Sequence, residues 1–310
     1  MLAAAVASAA AFSCRPEPGL GSITLQRRGA LHVVNLATCR ERVRPGRLAQ
    51  PRTLISPDGS HRAIVLSSKD WWSIVVDGRE IYRVSRHYRV VTDDNGPIAL
   101  IRWSSDNRWL FFVIDPDGSG SIQADGLTLR VIAASGGRVT KLPRMLVYRD
   151  YLAWCGDRLV FTAGTDRVAT NHKRLLVARP PLWKPEALAD LPRRAWGSVV
   201  CAPDNRSVIV QSQPDSNNAN FFATRWALWR VGLDGDKQQL TEPPLGWTDE
   251  SPRFSRDGKT MLFVRARKGN GYLYAVRRGR TVGPLLFLGN SLGYYGHHDW
   301  WLTAAWSLAR

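Results

Sequence analysis

The 310-residue chain has no apolar run approaching the roughly 20 residues that a membrane-spanning helix requires. Nor does any stretch of it carry the 3.6-residue periodicity of an amphipathic helix. It has no cluster of consecutive Lys and Arg like a nucleic-acid-binding arm, although 43 basic residues against 26 acidic ones give a formal net charge of +17. A nucleophile elbow, a phosphate-binding loop, a dinucleotide fingerprint and a Cys-x-x-Cys pair are all missing. These absences argue against a helical membrane protein, a helical bundle and the enzyme classes that those motifs mark. Cysteine is scarce, with only Cys14, Cys39, Cys155 and Cys201.

What is present suits a large packed core, since 44% of the residues are hydrophobic and 10% aromatic. The scattered positive charge favours anionic partners. A protein or an anionic component of the cell envelope is expected as partner, nucleic acid is not, and the chain is expected to be a monomer. The N-terminus, "MLAAAVASAAAFSCRPEPG", has the apolar, small-residue character of a secretory signal without its basic start. Residues 1–20 are therefore read as a leader and the protein as exported, periplasmic or on the cell surface. A cytoplasmic protein with a disordered tail is the alternative.

A short pattern recurs along the rest. It reads Ile55-Ser56-Pro57-Asp58-Gly59, Trp103-Ser104-Ser105-Asp106-Asn107, Trp154-Cys155-Gly156-Asp157, Cys201-Ala202-Pro203-Asp204-Asn205, Phe254-Ser255-Arg256-Asp257-Gly258 and Trp306-Ser307-Leu308. The first positions fall at 55, 103, 154, 201, 254 and 306, between 47 and 53 residues apart. Pro presets φ, Asp binds nearby backbone N–H groups and Gly accepts positive φ, so each unit contains a tight hairpin turn. Apolar runs follow: 63–66, 110–114, 159–161, 208–210 and 261–264. Third strands such as "WALWRVGL" (226–233) and "GYLYAV" (271–276) come next, then short fourth strands.

Four antiparallel strands per unit of 40–50 residues make a propeller blade. The sixth motif supplies a single strand, and 22–27, 30–38 and 40–44 supply three more. The expectation is an all-β, single six-bladed β-propeller over 21–310. One C-terminal strand plus three N-terminal strands would close its ring, leaving no open sheet edge.

The turns at Ile55 to Leu66, Trp103 to Ile114 and Phe254 to Val264, with the third strand Leu31 to Leu36, resemble the TolB-like (WD40-like) propeller repeats. The resemblance covers nearly all of the chain from about Gly21. It implies a cell-envelope propeller that binds partner proteins. The same repeats occur in propellers of prolyl-oligopeptidase-type enzymes and of some polysaccharide lyases, so they specify a fold more than a function. The extra N-terminal α/β domain of TolB has no counterpart in this chain, and no catalytic residue maps from the repeat.

Residues repeated in every blade build scaffold, so function is sought where the blades differ. The segments joining blades would converge on the mouth of the central channel, opposite the turns. They bring Asp93, Asp94, Asp150, Asp249, Glu250, His297, His298 and Asp299 together with Trp196, Trp247, Tyr294, Tyr295 and Trp300. A partner's side chain or a sugar ring could stack there. The other reading of these residues is structural: they cap strands and fill the channel, with carboxylates paired to Arg. The loop 213–226 adds Asn217, Phe221 and Phe222 as a candidate binding edge. Asp115 and Asp117 lie in a loop that resembles a calcium site but has Gly126 where its Glu should stand, so a hairpin turn is favoured over a divalent cation such as calcium. No cofactor is expected.

Cys155 and Cys201 occupy repeat positions that point to opposite sides of a strand, which argues for buried free thiols, whereas Cys14 and Cys39 could pair. A non-enzymatic binding scaffold is the leading functional reading. A polysaccharide lyase or hydrolase with a His/Asp/Glu/Trp site is the rival.

Overall fold

The structure, a computed structural model, describes residues 13–48, 53–85, 97–115, 117, 121–169, 171–189, 191–215, 226–255, 257–291, 293–302 and 304–307. Among them are six four-stranded antiparallel sheets, three single-turn 3-10 helices and no α-helix. The first sheet comprises Thr53–Ile55, Arg62–Ser67, Trp71–Val76 and Arg79–Ser85. The second is Ile98–Trp103, Trp109–Ile114, Leu127–Ala133 and Thr140–Met145; the third is Leu152–Cys155, Arg158–Ala163, Arg174–Ala178 and Glu186–Ala189. Arg194–Cys201, Ser207–Pro214, Ala227–Gly232 and Lys237–Gln239 form the fourth, and Thr248–Phe254, Thr260–Arg267, Asn270–Arg277 and Arg280–Asn290 the fifth. The sixth is drawn from both ends of the chain. Ala304–Ser307 pairs with Ser22–Arg27, followed by Ala30–Asn35 and Glu41–Pro45, with Ser22 opposite Ser307.

The repeated turn has the hydrogen bonding its residues call for. Ser56 Oγ donates to Asp58 Oδ1 at 2.7 Å and accepts from the His61 N–H at 2.9 Å, while Asp58 Oδ1 also accepts from the Ser60 N–H. The hydrogen bonds from Ser56 and Ser60 hold the Asp58 carboxyl down to about 2. Ser255 and Asp257 repeat the arrangement at 2.6 Å.

The second strands of the second to fifth sheets carry an unbroken apolar run because both of their faces are covered. Leu110 and Phe112 pack toward the first sheet, Phe111 and Val113 toward the third. Val208 and Val210 face the third sheet while Ile209 faces the fifth; Met261 and Phe263 face the fourth while Leu262 and Val264 face the sixth. Each sheet from the first to the fifth is thus packed on its successor, and the core is a series of inter-sheet layers.

This stacking corrects one expectation. Cys155 and Cys201 are not free thiols; they form a disulfide with Cα atoms 5.1 Å apart. Their side chains do point to opposite faces. Consecutive sheets, however, present opposite faces to each other, so Cys155 of the third sheet meets Cys201 of the fourth. Cys14 and Cys39 form the second disulfide, and no free cysteine is left.

The last eight residues of the expected leader are built into the sheets. Cys14 bridges to Leu286, the Arg15 N–H donates to the Leu285 carbonyl and the Glu17 N–H to the Leu36 carbonyl. Leu20 is completely buried between the fifth and sixth sheets, and its carbonyl accepts from the Trp306 indole at 2.6 Å. Among the described residues no helix is long and apolar enough to cross a membrane.

Candidate functional site

The segment ahead of the last strand, 293–302, is the centre of the candidate site. Tyr294 and His297 exchange two backbone hydrogen bonds, 2.7 and 3.0 Å, which fold the segment into a tight turn. This turn reaches the third sheet. The Tyr294 carbonyl accepts from the Tyr148 hydroxyl at 2.9 Å, and the Tyr295 carbonyl accepts from the Ala169 N–H at 2.8 Å. His297 lies flat on Tyr148, with ring centres 3.8 Å apart and planes 10° from parallel. Its Nε2 is 2.9 Å from Asp150 Oδ1, and Asp150 Oδ2 also accepts from Ser198 Oγ at 2.6 Å. One carboxylate thereby ties together the leading segment of the third sheet, the innermost strand of the fourth and the approach to the sixth.

The neighbouring histidine makes a second tie. His298 Nδ1 lies 3.1 Å from Glu250 Oε2, and Thr248 Oγ1 donates to Glu250 Oε1 at 2.9 Å. The Trp301 indole donates to the Ser251 carbonyl at 2.9 Å. These contacts fasten the segment to the innermost strand of the fifth sheet.

Burial opposes charge on His297, yet Asp150, with Asp299 and Glu250 behind it, lifts its pKa above the ordinary value. Glu250 does the same for His298 against its own burial. Asp150 is held below the carboxylate range because His297 and Ser198 outweigh its desolvation. Asp299 is pushed the other way, by burial and then by the nearby charge of Asp150. Asp249, fully buried, takes both arms of Arg265 at 2.6 and 2.8 Å, and burial still raises its pKa. Arg253 stands over the Trp301 ring at 4.5 Å, its pKa drawn down to about 10 by enclosure in protein against the pull of Asp299 and Asp150.

The expected site residues divide. Asp150, Glu250, His297, His298 and Asp299 come together, largely as paired groups. Trp196 is 1% exposed and packs edge-on against Trp229 in the layer between the third and fourth sheets. Trp300 is 4% exposed in the layer between the fifth and sixth, over Gly271, where an added Cβ would come within 2.6 Å of its ring. Both serve packing. Trp247 is half-buried against Tyr272 with Arg267 above it, Tyr294 is 38% exposed, and Tyr295 lies under Arg167.

Asp115 is buried and its Oδ1 accepts from the Asp117 N–H, as in a turn. Among the described residues no three His, Cys, Asp or Glu gather to hold a metal ion. Asn217, Phe221, Phe222, Asp93 and Asp94 lie outside the described residues.

Several contributors were missed from sequence. Arg102 and Arg253 each stand just before the repeat aromatic, in "RWSSD" and "RFSRD", and that shared register was a usable signal. Lys173 had none. It is 1% exposed and donates to the carbonyls of Asp166, Val168 and Asn171 at 2.7 to 2.9 Å, shaping the loop that holds Tyr295.

No family model matches the chain, and no curated protein does. Among solved structures, TolB from Acinetobacter baumannii is similar in fold at 15% identity and a TM-score of 0.47, over 89% of this chain and 65% of that one. The putative TolB from Agrobacterium tumefaciens is similar at 14% identity and 0.48, over 93% and 97%. An oligogalacturonate lyase in complex with manganese is similar at 12% identity and 0.49, over 88% and 83%. The first two are likenesses to a TolB-like propeller fold, and none of the three bears on function.

Proposed function

We propose that this chain is a six-bladed propeller, its ring completed by the sheet that joins both ends of the chain, and that it acts outside the cytoplasm as a non-enzymatic scaffold. The observation that carries this reading is the way its acid and base groups are used. Asp150 is bound to His297 and Glu250 to His298, each tying the segment 293–302 to another sheet, while Asp249 is bound to Arg265 on the adjacent strand of its own sheet. Groups so engaged hold a surface in place. That surface presents Tyr294, Tyr295 and Trp247 to a protein or to an anionic envelope component. The two disulfides support export, since such bonds persist in oxidising compartments.

The test places a photo-crosslinking residue at Tyr294 in living cells and identifies what is captured. Trp247→Ala and Tyr294→Ala should then weaken the identified complex, on the order of thirtyfold for a desolvated aromatic anchor, without lowering the melting temperature. Asp58→Asn and Asp257→Asn in the turns should lower the melting temperature and spare binding. The reverse pattern would sink the scaffold reading.

One observation favours the rival. Burial, helped by the charge of Asp150, raises the pKa of Asp299 while His297 and Ser198 lower that of Asp150 against its desolvation, and two carboxyls displaced in opposite directions suit an acid–base pair. A lyase or hydrolase of a polysaccharide would turn over acidic or neutral glycans and lose that turnover in Asp299→Asn.

A further inference from the structure

A cavity of about 350 Å³ lies among the innermost strands of the first three sheets. Pro57 and Ser105 of the repeated turns border it, and its two arginines lie within reach of Asp150, the partner of His297. Arg102 from the second sheet and Arg149 from the segment ahead of the third line it, and among the described residues no carboxylate does. Neither arginine has a hydrogen bond or ion pair with any described residue. The acidic group whose field reaches Arg102 is Asp150, already engaged by His297 and Ser198. Enclosure and the like charge of Arg149 pull the pKa of Arg102 below the ordinary arginine value. Arg102 is partly buried and Arg149 stands exposed beside it, so an oxyanion between them relieves their mutual repulsion and the desolvation of Arg102.

Apart from Ser105, the other residues of the wall are apolar or aromatic. Trp103 and Trp154 line it, and Ile55 borders it with 52% of its surface exposed. The volume lies at the lower end of the range for small-molecule sites, ~300–1,000 Å³.

We propose that this cavity binds a small organic anion, with a carboxylate or phosphate group between Arg102 and Arg149 and an aromatic or aliphatic body against Trp103 and Ile55. Guanidinium groups suit the task because their planar forks match such oxyanions.

Titration calorimetry and tryptophan fluorescence at low chloride test it, with phenyl phosphate, benzoate, inorganic phosphate and phenol as probes. Saturable binding at one site is expected for phenyl phosphate or benzoate, and which of the two binds tighter tells phosphate from carboxylate. Inorganic phosphate should bind more weakly and phenol should not bind. Arg102→Gln and Arg149→Gln should each weaken the organic anion at least tenfold, with the melting temperature of the free protein unchanged or raised. Arg42→Gln and Arg44→Gln, on the exposed outer strand of the sixth sheet, should leave affinity unchanged. The proposal is overturned if no anion binds saturably, if phenol binds as well as the anions, or if neither cavity variant changes affinity. Arg149 is exposed, so its variant keeps the test available should Arg102→Gln fold poorly.

Discussion

His297 is bound to Asp150, 147 positions earlier in the chain, and the two join the segment before the last strand to the third sheet. His297 has its pKa raised on folding, so its contribution is complete below the unfolded value near 6.5 and is lost as pH rises through the folded one. Asp150 is depressed, so its contribution is present above the unfolded value near 3.8 and is lost as pH falls through the folded one. The tie therefore operates between those limits. His297→Gln should melt lower than the parent at pH 6, and the gap should narrow toward pH 9. A gap independent of pH would mean that His297 acts through its stacking on Tyr148 alone.

The bond between Cys155 and Cys201 closes a loop with a sequence separation of 46. Chain-entropy arguments assign a closure of that length about 4 kcal/mol. The Cys155→Ala/Cys201→Ala double variant should shift the denaturant midpoint downward, and reductant should shift the parent but not the variant by the same route. An unchanged midpoint would refute the link.

Residues 13–20 are packed between the fifth and sixth sheets and include Cys14, bonded to Cys39. A chain beginning at Gly21 should therefore be less stable than one beginning at Ser13, by about 3 kcal/mol from the lost disulfide alone. Leu20 burial adds to that. Equal melting temperatures for the two chains would show this segment to be dispensable.

Lys173 holds three backbone carbonyls in a buried position, and desolvation lowers its pKa to about 8 despite Asp166 and Asp215. Lys173→Met keeps the apolar stem and orphans the carbonyls, at about 1–3 kcal/mol for each buried group left unsatisfied. Hydrogen exchange should accelerate at the Ala169 amide, which donates to Tyr295, before it does in the strands. Unaltered exchange at that amide would separate Lys173 from the Tyr295 contact.

The strands were legible because their signals are local. Ser56, Asp58 and Gly59 specify a turn among themselves, and the apolar run 110–114 is buried whichever sheet covers each face. The spacing of those turns was enough for six units and for a last sheet drawn from both ends of the chain. What lies between units was not local. Alternation told which way Cys155 and Cys201 point, but only the stacking of consecutive sheets decided that those two faces meet. Trp196 and Trp300 read as mouth aromatics because they sit in joining segments, and the layers between sheets took them as filling. The pairing of Asp150 with His297, and the cavity that leaves Arg102 beside Arg149, depend on residues from different repeats. Turn chemistry acts over a few residues of chain, whereas side-chain pairing across sheets is set by how the finished sheets pack.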